Sequence, residues 1–169
     1  MTFLLYGLCF VLLHVDINGF DLMPDFVGYL LMNHGLGQLA LKSHRLTRLQ
    51  GFCIAMAILT LLPSLATLSY SVKLIFGLVF GIARMYGLYL LVQVLQELQA
   101  SFTDAFFDID TLRVRWTLVL TAEAVTYAAM LLRMNSLVMG ILHFAGMVIA
   151  VLFLMAFQRT RLAYNSAKS

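Results

Sequence analysis

Long apolar stretches separated by short polar connections run through the whole chain. Six such stretches can be delimited, and they cover residues 3–15, 26–41, 52–69, 74–96, 116–132 and 137–157. A helix needs about 20 apolar residues, within a range of about 17–25, to cross a bilayer. The third to sixth stretches meet that length, whereas the first two are shorter. The pattern predicts a single all-α domain, a polytopic membrane helix bundle of about six helices.

The first two stretches leave two arrangements open. As helices they would reach only about 20–24 Å, against a hydrocarbon core of about 30 Å. In one arrangement six helices span the membrane and the connection 16–25 dips below its surface. In the other, four helices span and the first two form a re-entrant hairpin. Both arrangements return the chain to the same side of the membrane before residue 42.

Composition supports a membrane class and excludes several others. Of the 169 residues, 62% are apolar or aromatic and 11% are charged, and the mean hydropathy is +0.94. Soluble domains are about half apolar and a quarter charged. A water-soluble enzyme, a disordered regulator and a nucleic-acid module are therefore excluded. The lipid bilayer is the predicted partner, and a homo-oligomer or a complex with another membrane subunit is also possible. The sequence contains no cofactor or metal motif.

Basic residues predict the orientation, because they concentrate on the cytoplasmic side of membrane proteins. With Arg84 set aside, one side of the predicted bundle has only Lys73 and Arg133. The other side has eight basic residues: Lys42, Arg45, Arg48, Arg113, Arg115, Arg159, Arg161 and Lys168. Both termini are therefore predicted to be cytoplasmic, and the connection 16–25 is predicted to face outward.

Arg84 lies near the middle of the fourth apolar stretch. Insertion of an arginine at the centre of a membrane helix costs about 2.5–3.5 kcal/mol, so such residues face the protein interior and have partners. Gly77 and Gly81 share a helix face with Arg84, at spacings that allow a neighbouring helix to approach closely. We predict that Arg84 points into that helix contact.

Glu123, in the fifth stretch, is the predicted partner of Arg84. From the rise per residue of an α-helix, Glu123 lies about 14 Å and Arg84 about 15 Å from the outer side of the predicted bundle. Tyr127 follows Glu123 by one turn and is predicted to donate to its carboxylate. Two roles stay open for the pair. It is either a structural ion pair that fixes helix register or part of a site for a small solute or ion.

A second polar group lies around the segment INGFDLMPDFVGY at 17–29. Asn18-Gly19 predicts a turn, and Pro24 suits the first position of a helix. Beyond the turn, a polar stripe repeats every four residues at Asp25, Tyr29, Asn33 and Gly37. A stripe of this kind faces protein or water and not lipid.

The carboxylates of Asp16, Asp21 and Asp25 could offer oxygen ligands to an ion. Turn and cap chemistry explains most of this group, and no metal-site spacing is met. His143, in the sixth stretch, is a further candidate, although a lone histidine in an apolar segment is commonly an interior hydrogen-bonded residue. The sequence therefore predicts no metal site.

The stretch INGFDLMPDFVGYLL resembles the N-terminal signature of a family of small, uncharacterised integral membrane proteins of Gram-positive bacteria. In that family a short first helix runs into a similar DxLPDFIGY segment. The resemblance covers this stretch and a few residues around it. It implies a location in the bacterial cytoplasmic membrane and implies no particular activity.

Binding or passage of a small solute or ion through an interior polar cluster is the function that the sequence favours. One alternative is an accessory or scaffold subunit that packs through the face of Gly77 and Gly81. Another is an intramembrane enzyme that acts on lipid with the acids near 16–25; an enzyme is the less favoured class. The candidate site residues are Arg84, Glu123, Tyr127, Asp16, Asp21, Asp25, Tyr29, Asn33 and His143.

Overall fold

The structure is a computed structural model of the chain. It describes the backbone of residues 1–13, 16–17, 20–21, 24–39, 41–64, 70–101 and 108–168. Within these ranges it describes all side chains except those at 16, 17, 20, 21, 62–64, 70–74 and 168. The predicted turn residues Asn18 and Gly19 lie outside the described residues.

Helices form nearly all of the described chain, which confirms the predicted all-α class. They are α1 (Thr2–Leu12), α2 (Asp25–Gly37), α3 (His44–Ser64), α4 (Tyr70–Ala100), α5 (Ile109–Leu131) and α6 (Ser136–Lys168). Between α1 and α2 the backbone forms a short antiparallel ladder of β1 (Asp16–Ile17) and β2 (Phe20–Asp21). Each predicted apolar stretch corresponds to one helix.

The helix boundaries differ from the predicted ones where polar residues cap or continue a helix. α3 begins at His44 and not near residue 52, because the Ser43 hydroxyl accepts a first-turn backbone N–H at 3.1 Å. α6 begins after Asn135, whose side-chain oxygen accepts a backbone N–H at 2.9 Å, and it continues well past residue 157. α5 begins at Ile109, so the basic residues before residue 116 are helical. Apolar patterning locates only the apolar part of each helix.

α1 and α2 form a hairpin in which the two backbones touch. A Cβ added to Gly7 would lie 2.5 Å from the Gly28 carbonyl oxygen, and one added to Gly28 would lie 2.8 Å from the Gly7 carbonyl oxygen. Farther along, a Cβ added to Gly35 would lie 2.6 Å from the Leu4 backbone nitrogen. Small residues permit this close approach of two helices. The hairpin is therefore a tightly packed unit.

The six helices form a closed ring within the described chain, since each packs on the next in sequence and α1 packs on α6. α1 and α2 have 11 and 13 residues, which makes them about 16 and 20 Å long. The other helices have 21 to 33 residues. The hairpin therefore fills only one end of the bundle, which we call the closed end.

The closed end contains the start of α3, the second half of α4, the start of α5 and the second half of α6. Its core includes the fully buried side chains Leu8, Leu36, Leu91, Leu95, Phe153 and Phe157. The opposite end, which we call the open end, has no comparable core among the described side chains. There, Leu137, Ile141 and Phe144 of α6 are 60–70% exposed.

Two helical segments among the described residues are long and apolar enough to cross a membrane. They are Ile75–Ala100 in α4 and Ser136–Ala167 in α6. Only 17% of the most apolar part of α6 is buried inside the protein. α3 and α5 are more polar over part of their length, with Arg45 and Arg48 in α3 and Arg113, Arg115 and Glu123 in α5.

Candidate binding site

Arg84 lies near the middle of α4, where the closed and open ends of the bundle meet. Its guanidinium Nη2 donates a hydrogen bond to Oε1 of Glu123 on α5, and the two groups form an ion pair. The side chains are only 20% and 22% exposed. The pairing predicted from the matched depths of these residues is therefore confirmed, while its role in binding stays a prediction.

The second contact of Arg84 is with the end of α1. Nη1 donates to the carbonyl oxygen of Val11 at 3.2 Å. Val11 lies in the last turn of α1, where backbone carbonyls have no partner within the helix. A positive charge is also favourable at this negative end of the helix dipole. Arg84 thus connects the end of α1 with α4 and α5.

Tyr127 has a different partner from the predicted one. Its hydroxyl donates to the backbone carbonyl of Gly77 at 2.8 Å and not to the Glu123 carboxylate. The ring covers Gly81, where an added Cβ would overlap it, whereas a Cβ at Gly77 would meet nothing within 4 Å. Because α5 of the same chain covers Gly81, this part of the predicted glycine face is not free to pack against another protein.

A cavity of about 270 Å³ lies beside the Arg84–Glu123 pair. Leu12 and Leu13 at the end of α1 form one wall, and α5 and α6 form the others. Ligand cavities have volumes of about 300–1,000 Å³, so the volume of this one is just below that range. Its polar lining consists of Arg84, Glu123, Thr126, Tyr127 and His143, and most of the remaining lining is apolar.

His143 joins this group from the α6 wall. Its Nδ1 lies 2.8 Å from the carbonyl oxygen of Met139. Because a carbonyl can only accept, Nδ1 carries the hydrogen, and Nε2 of the neutral ring is an acceptor. Four sequence-predicted candidates therefore line one cavity: Arg84, Glu123, Tyr127 and His143.

The polar stripe of α2 lies on the other side of Arg84. Tyr29 is buried, and it lines a small second cavity with Arg84 and Cys53. Asp25 is half-buried and interacts electrostatically with Arg84. Asn33 is half-buried and does not line either cavity. Gly37, at the end of the stripe, is exposed. The stripe does not form part of the larger cavity.

The three candidate ion ligands of the first connection, Asp16, Asp21 and Asp25, cannot be assembled into a site from the described residues. The backbones of Asp16 and Asp21 lie opposite each other in the ladder, while their side chains lie outside the described set. No group of three histidine, cysteine, aspartate or glutamate residues suited to a metal occurs in the described part of the chain.

Sequence reasoning missed several residues that build the site. The contact of Gly7 with Gly28 sets the position of α1, and the Val11 carbonyl receives Arg84. Gly28 and Gly35 are separated by seven residues, which is a spacing that places both on one helix face. That spacing was the available signal. A backbone acceptor such as the Val11 carbonyl leaves no signal in the sequence.

Comparison of the chain with protein-family models, with curated proteins and with solved structures gives no match.

Proposed function

We propose that the protein is a multi-pass membrane protein in which α3 to α6 span the bilayer and α1 and α2 form a re-entrant hairpin. The exposed apolar side chains of α4 and α6 support this, because lipid would cover them. The contact between Arg84 and Val11 favours the hairpin over six spans. It brings the end of α1 to the middle of α4, which is the middle of the membrane if α4 spans.

The proposed orientation has the closed end at the cytoplasmic side of a bacterial cell membrane. The eight basic residues on the side of the two termini support it. In a background without Cys9 and Cys53, a cysteine at Ser166 should react with an impermeant maleimide only after the membrane is opened. A cysteine at Met134, which is 45% exposed in the turn between α5 and α6, should react in intact cells. The reverse labelling pattern would overturn the orientation.

We propose further that the cavity beside Arg84 and Glu123 binds a small solute or ion. The observation that carries this proposal is an interior ion pair in the wall of a cavity with a mixed polar and apolar lining. A pair that served only to fix helix register would be expected to pack without such a space. The cavity and the pair together fit the usual composition of ligand sites.

Binding is better supported than open passage. Below the cavity, the closed end is filled by buried side chains such as Leu91, Leu95 and Phe157. A solute that crossed the protein would have to displace the hairpin, which Arg84 attaches to α4. We therefore propose a binding step at the cavity, and transport through the closed end would require a second conformation.

The test is a thermal-stability screen of the purified protein against ions, amino acids, nucleosides and lipid head groups. A bound solute should stabilise the protein by about 2.7 kcal/mol at a hundredfold excess over its dissociation constant. Gly146 lines the cavity, and an added Cβ there would meet nothing within 4 Å. Gly146→Leu should fill the cavity and abolish the stabilisation by the solute.

Gly140→Leu is the matched control for this test. Gly140 lies in the same helix and is equally open, but it does not line the cavity. The control variant should keep the full response to the solute. An equal response from both variants would show that the solute binds elsewhere.

A further inference from the structure

We infer that the cavity takes a small uncharged solute whose polar group is a primary carboxamide carried on a short apolar chain. This inference rests on the proposed function, because it assigns a chemical class to the solute in the same cavity. It is carried by the unused hydrogen-bonding positions of the lining, by the mutual compensation of its two charges and by the apolar walls.

The ion pair in the lining has unused positions of both kinds. Arg84 has five N–H donors, and it uses one on Val11 and one on Glu123, so three remain. The Glu123 carboxylate has about four lone-pair positions, of which Arg84 occupies one. Within the described part of the chain, Nε of Arg84 and Oε2 of Glu123 are buried and have no hydrogen-bond partner. One donor and one acceptor of the pair are therefore unsatisfied.

An ion of either sign would match only half of these positions. An alkylammonium ion has donors and no acceptor, whereas a carboxylate ion has acceptors and no donor. Each would leave the unused groups of Arg84 or of Glu123 without a partner, and an unpaired buried polar group is costly. A group with both N–H donors and a carbonyl acceptor matches both residues. An amide is the simplest group of this kind.

The uncharged polar groups of the lining add further acceptors. The Thr126 and Tyr127 hydroxyls each donate to a backbone carbonyl at 2.8 Å. A hydroxyl has one hydrogen and two lone pairs, so acceptor positions remain on both. His143 uses its Nδ1 hydrogen on a backbone carbonyl and keeps Nε2 as an acceptor. Donors are therefore needed at more than one point, which a primary amide with two hydrogens provides and a hydroxyl with one hydrogen does not.

The charges of the lining favour an uncharged ligand. Among the described residues, the charged side chains that line the cavity are Arg84 and Glu123, and they offset each other in the ion pair. Asp25 of α2 does not line this cavity. An entering ion would lose its hydration, which is costly, and would meet no uncompensated charge. A zwitterion would have this cost for two charged groups.

The apolar part of the lining sets the body of the ligand. Leu12, Leu13, Met130, Leu142 and Met147 surround the polar groups. A volume of about 270 Å³ accommodates a short hydrocarbon chain together with an amide group. A wholly polar molecule such as urea would leave most of these walls without an apolar contact, which makes it a poorer match.

The experiment compares five probes that share a short alkyl chain. Pentanamide has the amide group, and 2-hexanone keeps the carbonyl but replaces the amide nitrogen by a methyl group. The other three are n-pentylammonium, pentanoate and norvaline, which are a cation, an anion and a zwitterion. Each is titrated against the full-length protein in detergent, and thermal unfolding is followed with a thiol-reactive dye. The dye reports unfolding because Cys53 is a buried free thiol, and Cys9→Ala removes the half-buried one.

In this background the protein should bind pentanamide about fivefold or more tightly than 2-hexanone, because the N–H groups then find acceptors. It should bind pentanamide about tenfold or more tightly than each of the three charged probes. Gly146→Leu should abolish binding of all probes, and Gly140→Leu should abolish none. Any shift that persists in Gly146→Leu measures the effect of a probe on the detergent and is subtracted.

Three variants test the groups that should recognise the amide. Thr126→Val and His143→Leu each remove an acceptor outside the ion pair, so they provide a test even if variants of the pair fold poorly. At least one of them should weaken pentanamide binding about two- to tenfold and leave binding of 2-hexanone, which has no N–H to donate, unchanged. Glu123→Gln leaves the Arg84 charge uncompensated and should raise the affinity for pentanoate over pentylammonium about tenfold or more.

The outcomes separate this inference from the proposed function. Equal or tighter binding of 2-hexanone or of a charged probe overturns the amide inference and leaves solute binding in place. The amide inference is also overturned if Thr126→Val and His143→Leu both keep the full preference for pentanamide over 2-hexanone. The same holds if Glu123→Gln folds and leaves the relative affinities for pentanoate and pentylammonium unchanged. If no probe and no compound of the wider screen distinguishes Gly146→Leu from Gly140→Leu, solute binding at this cavity is wrong as well.

Discussion

Replacing Arg84 by leucine is expected to lower the free energy of unfolding by about 3–5 kcal/mol. The change leaves the Glu123 carboxylate without its cation and the Val11 carbonyl without its donor. Glu123→Leu should have a similar cost, because it leaves the guanidinium without its anion. The double variant should recover much of the loss, since both charges are then removed together.

Unfolding of the purified variants by a denaturing detergent measures this effect. Gln93→Leu is the matched control on α4, because the Gln93 amide donates to the Tyr89 hydroxyl one turn away on the same helix and not to another helix. Its effect should stay within about 0.5 kcal/mol. A double variant that loses as much as the two single variants combined would show that the residues do not act as a pair.

The double variant also separates the two roles that the sequence leaves open for the pair. If it folds and keeps the solute response of the wild type, the pair only fixes the register of α4 and α5. If it folds and loses the response, the pair belongs to the binding site.

Gly28→Ala is expected to destabilise the protein by about 1–3 kcal/mol, the usual cost of overpacking. The added Cβ would lie 2.8 Å from the Gly7 carbonyl oxygen, so the backbone of α1 would have to move. Gly51→Ala is the control, because a Cβ at Gly51 would meet nothing within 4 Å. It should stabilise the protein by about 0.5–1 kcal/mol, the usual gain of alanine over glycine in a helix.

The two alanine variants should therefore shift the unfolding midpoint in opposite directions under the same detergent titration. The hairpin would not be packed through its backbones if Gly28→Ala were as stable as Gly51→Ala. A rescue of Gly28→Ala by a second change elsewhere on α1 would not bear on this comparison, because the measurement concerns the single variants.

The number of helices and the interior pair could be predicted from the sequence, for identifiable physical reasons. An apolar stretch has to be covered by lipid or protein, so each stretch predicts a helix. Arg84 and Glu123 are costly in such surroundings, and their equal depth left each as the natural partner of the other. Both predictions rest on a large free-energy cost that can be assigned to one segment or one residue: an apolar segment exposed to water, or a charge without a partner in apolar surroundings.

The partners of Tyr127 and the position of α1 could not be predicted in the same way. The sequence placed the Glu123 carboxylate one turn from Tyr127, but the hydroxyl donates to the Gly77 carbonyl, a contact that depends on how closely α4 and α5 pack. The position of α1 depends on the contact between Gly7 and Gly28 and on the hydrogen bond that the Val11 carbonyl accepts from Arg84. Backbone atoms are the same at every residue, so sequence patterns do not reveal which carbonyl is used.

The long separation along the chain between Arg84 and Val11 has a consequence for biogenesis. The two partners are 73 residues apart, and α1 also packs on α6, which follows α4 and α5 along the chain. A helix of 11 residues is too short to be retained in a bilayer as a span by itself. The hairpin of α1 and α2 precedes these partners in the chain. It can therefore reach its final place only after α4 has been synthesised, and its contacts are completed only after α6 has been synthesised as well.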